Sequence, residues 1–275
     1  MTNNGKMVNR GVEITLSGEI IRQKDFSWNA SLLYAFNRNK VKHISVQPSL
    51  WDSRISMPTS YPMVGKPLYG IYAYKWAGLN ENGDPQVYDA ENNVTSGPAR
   101  DYHALVYCGT TVPIHNASLT NVLRYKGFEF SAMLILDAGH KLRSSNIPSI
   151  NMSNGRITST AKGIVDRWTQ PGDVTDVPRL LFSNDTENFN THRTELYRYS
   201  DLFVYDASNI RLSNISLAYR VPAHWCKKIS LSGARLQFNV ENVATFAFDS
   251  KANYDLGGKV LSLIHISEPT RPLYI

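Results

Sequence analysis

Asn80, Asn82 and Asp84 set oxygen-bearing side chains at alternate positions, the spacing with which a loop begins to wrap a calcium ion. The glycine of such a loop is displaced to Gly83 and no acidic residue closes it at the required distance, so the triplet reads as a polar turn. His43, His103, His115, His140, His192 and His224 lie far apart, with no pair at ligand spacing. Cys108 and Cys226 match neither a metal nor a redox pattern. The sequence carries no His-Glu-x-x-His, no Gly-x-Ser-x-Gly, no phosphate loop and no Gly-x-Gly-x-x-Gly. It therefore predicts neither an enzyme nor a cofactor or metal site, and any function must lie in binding or passage. Within a long polar insertion at 138–207, Trp168 and a Pro-Gly turn stand out, and Arg167, Trp168, Asp173 and Tyr197 are the candidate ligand-facing residues.

The elements that would position them announce themselves near the start of the chain. Val12, Ile14, Leu16, Gly18 and Ile20 alternate with Glu13, Thr15, Ser17 and Glu19; after about three turn residues, Phe26, Trp28, Ala30, Leu32, Tyr34 and Phe36 alternate with Ser27, Asn29, Ser31 and Asn37. Strand side chains point to opposite faces with period two, so each run has one apolar and one wet side. Each spans about 11 to 13 residues, longer than the ~5 to 6 of most globular strands and close to the ~9 to 11 of a tilted membrane strand. Leu16 and Leu32 are expected to face lipid, Thr15 and Asn29 a polar lumen. Further strands are expected near 67–77, 85–89, 115–125, 128–137, 208–221 and 232–242. In 208–221, Arg211 and Ser213 share parity with Ile215, Leu217 and Tyr219, so either the apolar face ends near Asn214 or a bulge shifts the phase there.

Composition narrows the class. The 275 residues carry 29 Lys and Arg against 23 Asp and Glu, a net charge of +6, but the basic residues stand singly apart from Lys227-Lys228. No basic stripe follows a phosphate backbone, which argues against nucleic acid. No run of about 18 apolar residues predicts a membrane helix, and barrel strands leave no such run because half their residues face a polar interior. Met1–Lys6 leads into no apolar stretch, so the sequence reads as a barrel piece without its export signal.

Connections add a second pattern. Short ones (23–25, 80–84, 126–127, and 222–230 with room for one helical turn) alternate with long ones (38–66, 90–114, 138–207). Outer-membrane barrels have short periplasmic turns and long outer loops. Phe26 and Trp28 lie near a short turn, Tyr34 and Phe36 near a long loop, as two interfacial aromatic girdles require.

Ordered pieces of the chain resemble the C-terminal barrel region of the SusC/RagA family of TonB-linked outer-membrane proteins. They are Asn9-Arg-Gly-Val-Glu-Ile14, Phe26-Ser-Trp28, Asn37-Arg-Asn-Lys-Val41, Val64-Gly-Lys-Pro-Leu68, Gly78-Leu-Asn-Glu-Asn-Gly-Asp-Pro85, Tyr125-Lys-Gly-Phe128, Arg167-Trp-Thr-Gln-Pro-Gly-Asp173, Pro178-Arg-Leu180, Ser208–Tyr219 and Leu236–Val243. The resemblance implies an all-β, antiparallel transmembrane barrel portion: about eight strands of a 22-stranded barrel, with short periplasmic turns and long extracellular loops. It further implies uptake of oligosaccharide or peptide across a Bacteroidetes-like outer membrane, with a SusD-like lipoprotein as lid and a TonB complex engaged through an N-terminal plug that this sequence lacks. On that reading Arg167, Trp168, Asp173 and Tyr197 face cargo or lid.

Two further expectations concern extent and class. Residues 1–260 read as one barrel portion. Residues 261–275 read as a non-native tail, because Leu261–Arg271 looks like a translated sequencing adapter and the closing Pro-x-x-Pro stretch removes strand donors. The alternative class is a secreted β-sandwich carbohydrate-binding module, which would also be strand-rich and free of catalytic motifs.

Overall fold

The computed structural model describes residues 5–46, 52–97, 101–152, 161–182, 191–228, 231–252 and 255–256. The tail expected at 261–275 lies outside them. Six long strands form one antiparallel sheet, the wall: β1 (Gly5–Arg22), β2 (Phe26–Ile44), β3 (His115–Tyr125), β4 (Phe128–Ala138), β5 (Asn209–Val221) and β6 (Ala234–Ala247), ordered as in the chain. Three short connections, 23–25, 126–127 and 222–233, turn at one end, the last with the helix Ala223–Lys228. Two long excursions, 45–114 and 139–208, leave from the other end.

Register explains why the sheet holds together. Cross-strand partners share a face, and the pairing runs Leu16–Leu32–Leu119–Leu134–Leu212–Ala244 across all six strands. Rows on either side continue this apolar face, as in Ala132–Ile215–Val240 toward the short turns and Leu136–Ile210–Phe246 toward the excursions. The opposite face reads Thr15, Ser17, Ser31, Ser118, Thr120, Ser131, Asn214, Ser216 and Asn239, with a few aliphatic exceptions such as Leu33 and Ile135. Both neighbours of β5 shift register between Leu212 and Asn214, so the phase change expected there is a bulge. It moves Ser213 out of the pairing and lets Leu212 and Ile215 share the apolar face.

The apolar face is uncovered: Leu16 is 60% and Leu236 67% exposed. A β-sandwich would bury this face against a second sheet, and among the described residues none lies there. Rings edge the apolar band. Phe26, Trp28, Tyr125, Phe128 and Tyr219 lie toward the short turns, while Tyr34, Phe36, His115 and Phe246 lie toward the excursions. From Tyr125 to His115 the strand climbs about 33 Å at ~3.3 Å per residue; tilted by ~40° it spans about 25 Å, the height of an outer-membrane apolar band.

Two expected strands do not join the wall. The segment expected at 67–77 splits into Gly70–Tyr74 and Trp76–Leu79, and that at 85–89 is Pro85–Tyr88; all lie in small separate sheets. Among the described residues the wall therefore has six strands where the sequence predicts eight. The reason is burial: Gly70–Tyr74 is buried at every position, which suits an internal strand and not one with a wet face. Asn80–Asp84 is correspondingly a hairpin turn among the excursions and not a short turn of the wall. β1 and β2, at 18 and 19 residues, outrun their apolar alternation because the polar segments Gly5–Arg10 and Asn37–Ile44 keep pairing past it.

The excursions are not structureless. They carry the pairs Gly70–Tyr74 with Leu105–Thr110, Lys141–Arg143 with Val204–Asp206, and Asn151–Met152 with Leu181–Phe182, plus the helix Thr191–Arg198. Together they bury a core of Tyr72, Tyr74, Val87, Leu105 and Leu196, with Ile150, Tyr197 and Phe203 beside it. The result is a cap with its own interior at one end of the wall.

Candidate functional site at the loop end of the wall

The cap is built where the two excursions meet. The Tyr74 amide donates to the Tyr199 carbonyl at 2.9 Å, and the Arg143 guanidinium reaches across to the Tyr72 carbonyl at 2.7 Å. A carboxylate holds the junction. Asp84, on the first excursion, accepts from Arg179 Nε at 3.1 Å and Nη2 at 2.9 Å, and from Arg193 Nε at 2.6 Å, both on the second. Arg193 also donates to Asn151 Oδ1 and the Arg179 carbonyl, so a nearly enclosed cation has its donors engaged. Buried charges survive only when paired and hydrogen-bonded in this way. The preceding asparagine shapes the turn: Asn80 Oδ1 accepts from the Asn82 and Asp84 amides at 2.9 and 2.8 Å. The oxygen triplet is thus a turn that delivers Asp84 to two arginines. Among the described residues no three His, Cys, Asp or Glu side chains converge as a metal site would require.

The candidate ligand residues separate. Trp168 and Asp173 line one open groove of about 750 Å³ with Asn80, Glu81 and Asn82. Gly83, at φ +71°, lets the hairpin press against the Trp168 ring, because a Cβ there would collide with it. Asp173 accepts from the Thr169 amide and hydroxyl and the Gln170 amide; these hold its carboxyl below the usual range and tighten the Pro-Gly turn. Arg167 lies beside the groove, half-buried, its guanidinium on the Ile164 carbonyl. Tyr197 is elsewhere. It is 1% exposed, its ring between Trp76 and Phe203, so the side chain expected at the surface is part of the core. A tyrosine in a polar insertion reads as exposed only while the insertion is taken to lack an interior.

Chemically the groove offers one aromatic ring and a rim of amide and carboxylate groups, which suits a polar ligand with an apolar patch. Sequence reasoning found the ring but missed Asp84, Arg179 and Arg193, whose separations of 95 and 109 positions leave no local signal. Burial pushes the Cys108 thiol up to about 11, with Asp201 adding to the shift, which makes it a poor nucleophile.

An antiparallel sheet with one uncovered apolar face, ringed by aromatics and capped at one end, belongs to the class of structure from which outer-membrane barrels are built. No family model matches the chain. Over 273 residues it is 25% identical to TonB-dependent receptor P3 of Formosa agariphila, covering 92% of this chain and 26% of that protein. TonB-dependent receptor P26 of the same organism is 25% identical over 252 residues, covering 86% and 24%. Among solved structures, the RagAB peptide transporter superposes with a TM-score of 0.68 at 21% identity, covering 90% of this chain and 26% of that one. The RagAB peptide importer in its open-open state gives 0.67 at 20% identity, covering 92% and 27%. The chain is similar to TonB-dependent receptors along nearly its whole length, and its fold is that of the matching quarter of the SusC/RagA-type transporter RagAB. It spans about a quarter of the length of these relatives, which are receptors and transporters rather than enzymes.

Proposed function

We propose that this chain is part of the wall and outer cap of a TonB-dependent importer in the outer membrane of a Bacteroidetes-like Gram-negative cell. The observation that carries the reading is the continuous apolar row of five leucines and Ala244 across six strands, on an uncovered face framed by rings about 25 Å apart when the strands tilt by ~40°. In this reading the apolar face meets lipid, the Ser/Thr/Asn face lines the lumen, the short turns are periplasmic and the cap is extracellular. Residues 1–260 act as one barrel portion of a wall of about 22 strands, the number that the SusC/RagA resemblance implies. The outer edges of β1 and β6 have no partner among the described residues. In hydrocarbon each unpaired backbone group costs several kcal/mol, so both edges require neighbouring strands; the chain alone would transport nothing.

Cargo is a peptide or an oligosaccharide, and the groove at Trp168, with Asp173 and the adjacent Arg167, contributes to the surface that meets cargo or a SusD-like lid. Energy coupling runs through a TonB complex engaged by parts outside this chain. The test is uptake in cells that carry the whole protein. Accumulation of labelled peptide or oligosaccharide that disappears when TonB is deleted is the expected result. Absence of the protein from the outer-membrane fraction would overturn the reading.

A further inference from the structure

Basic residues that stand singly in the sequence are gathered by the fold at one place on the apolar face. Above the ring row that contains Phe36, the β1–β2 pairing continues Val12↔Phe36, Arg10↔Arg38, Val8↔Lys40, with no register shift between them. Arg10 and Arg38 therefore stand directly opposite each other, on the side that carries Leu16 and Leu32. Like charges in that position are destabilising. The cap adds a third side: the Val41 amide donates to the Lys66 carbonyl at 2.9 Å, and the Lys66 ammonium sits 4.9 Å from the centre of the Tyr107 ring. Arg38 is near enough for its charge to act on the Tyr107 hydroxyl. Among the described residues, Arg10, Arg38, Lys40 and Lys66 join no ion pair. The stretches 5–12, 36–46 and 61–75 contain no Asp or Glu at all. Farther down the same hairpin, Glu13 and Glu19 lie on the polar face, so the cationic excess is confined to the loop end.

We propose that Arg10, Arg38, Lys40 and Lys66 form a binding surface for the phosphate groups of an anionic lipid in the outer leaflet. The inference rests on the membrane reading above. Height supports it: Arg10 and Arg38 sit two residues, roughly 7 Å along the strand, beyond the Val12–Phe36 row, where headgroups begin. The ligand's acyl chains would lie along the apolar band while its phosphates sit between the two arginines and relieve their repulsion. Arginine favours this chemistry because its planar fork pairs with phosphate oxygens two at a time.

The whole protein, placed in nanodiscs of neutral lipid, is titrated with bisphosphorylated lipid A and with the same lipid lacking its phosphates. Bound lipid is counted by native mass spectrometry. Wild-type protein should prefer the phosphorylated form, and each Arg→Gln change at positions 10 and 38 should weaken that preference about fivefold, the factor expected for one cation at an anionic surface. Lys24→Gln, in a short turn at the opposite end, should leave it unchanged. Equal binding of the two lipids, an unaltered preference in R10Q/R38Q, or displacement of lipid by an oligonucleotide would overturn the proposal. An assembled, heat-modifiable barrel in every sample keeps these outcomes separate from the membrane reading; failure of wild-type protein to assemble would overturn both.

Discussion

Arg193 Nε lies 2.6 Å from Asp84 Oδ1, a pairing across 109 positions that closes the cap between its two excursions. Arg193 is 2% exposed, so it cannot turn to water if its partner is lost. Asp84→Ala should therefore cost about 3 to 5 kcal/mol of local stability, the usual penalty for stranding a buried charge. Hydrogen exchange across Thr191–Arg198 would read this as lost protection, while β3 and β4 stay protected. Adding Arg193→Met to Asp84→Ala should restore part of the loss; protection unchanged by Asp84→Ala would refute the role given to the pair.

The two faces of the wall should respond differently to charge. Leu32→Arg places a cation in the middle of the apolar band and should cost about 2 to 4 kcal/mol of barrel stability. Ser31→Arg points to the polar face and should be mild. The fraction of heat-modifiable protein in outer membranes measures both, and equal losses would reverse the assignment of faces.

One polar residue interrupts the apolar face. Asn121 shares a row with Ala30 and Ala132, and its Oδ1 accepts from the Trp28 indole at 3.1 Å. Trp28→Phe removes that donor and should cost about 1 to 3 kcal/mol, the penalty for a polar group left unpaired. Trp28→Phe with Asn121→Leu should cost less than Trp28→Phe alone in denaturant unfolding. Additive losses would mean that the two side chains act independently.

The cap should loosen in acid through Asp206. Burial pushes its carboxyl up, but hydrogen bonds from Ser208 and Lys141, with the Lys141 charge, bring it down to about 2. Its folded value thus lies below that of the unfolded chain, so it stabilises above about pH 4 and the contribution is lost as pH falls toward 2. With the side chain 40% exposed, solvent screening limits this to about 1 kcal/mol. Asp206→Asn should flatten cap stability over that window, as followed by proteolysis; an unchanged profile would assign the acid response elsewhere.

Trp168→Ala should reduce uptake several-fold in an assembled transporter if the groove meets cargo, and should weaken lid binding if it meets the lid. Cap protease resistance should stay the same, since Trp168 lines an open groove beside the hairpin at Gly83 and lies outside the buried cores of the cap. Uptake and lid binding both unaffected would leave Trp168 as a packing residue.

The wall is legible because its period is two and its turns are short; parity alone locates an irregularity near Asn214 in β5, and the pairing on both sides makes it a bulge. The cap is not. From sequence Gly70–Tyr74 reads as a wall strand because an apolar run looks alike whether one face or both are buried, and Tyr197 reads as surface because nothing local shows the core around Phe203. An unusual ring and turn single out Trp168 and Asp173 in the sequence, whereas Asp84 is hidden in the polar triplet it ends. The cations at 10, 38, 40 and 66 looked scattered because strand pairing, not adjacency, brings them together.

The unequal connections also dictate an order of events during assembly. Within a hairpin, contacts span few residues, such as Ser17 with Ser31, and pairs of this kind close in about 1 to 10 μs. The seams between hairpins join residues much farther apart, 81 positions for Tyr34 and His115 and 74 for Asp137 and Arg211, and their closure bears the entropy of long tethers. Packing the excursions together first would shorten those tethers and lower the cost of zipping the seams. The cap is thus a clasp for the growing wall, and loosening it should slow insertion well before it weakens the finished sheet.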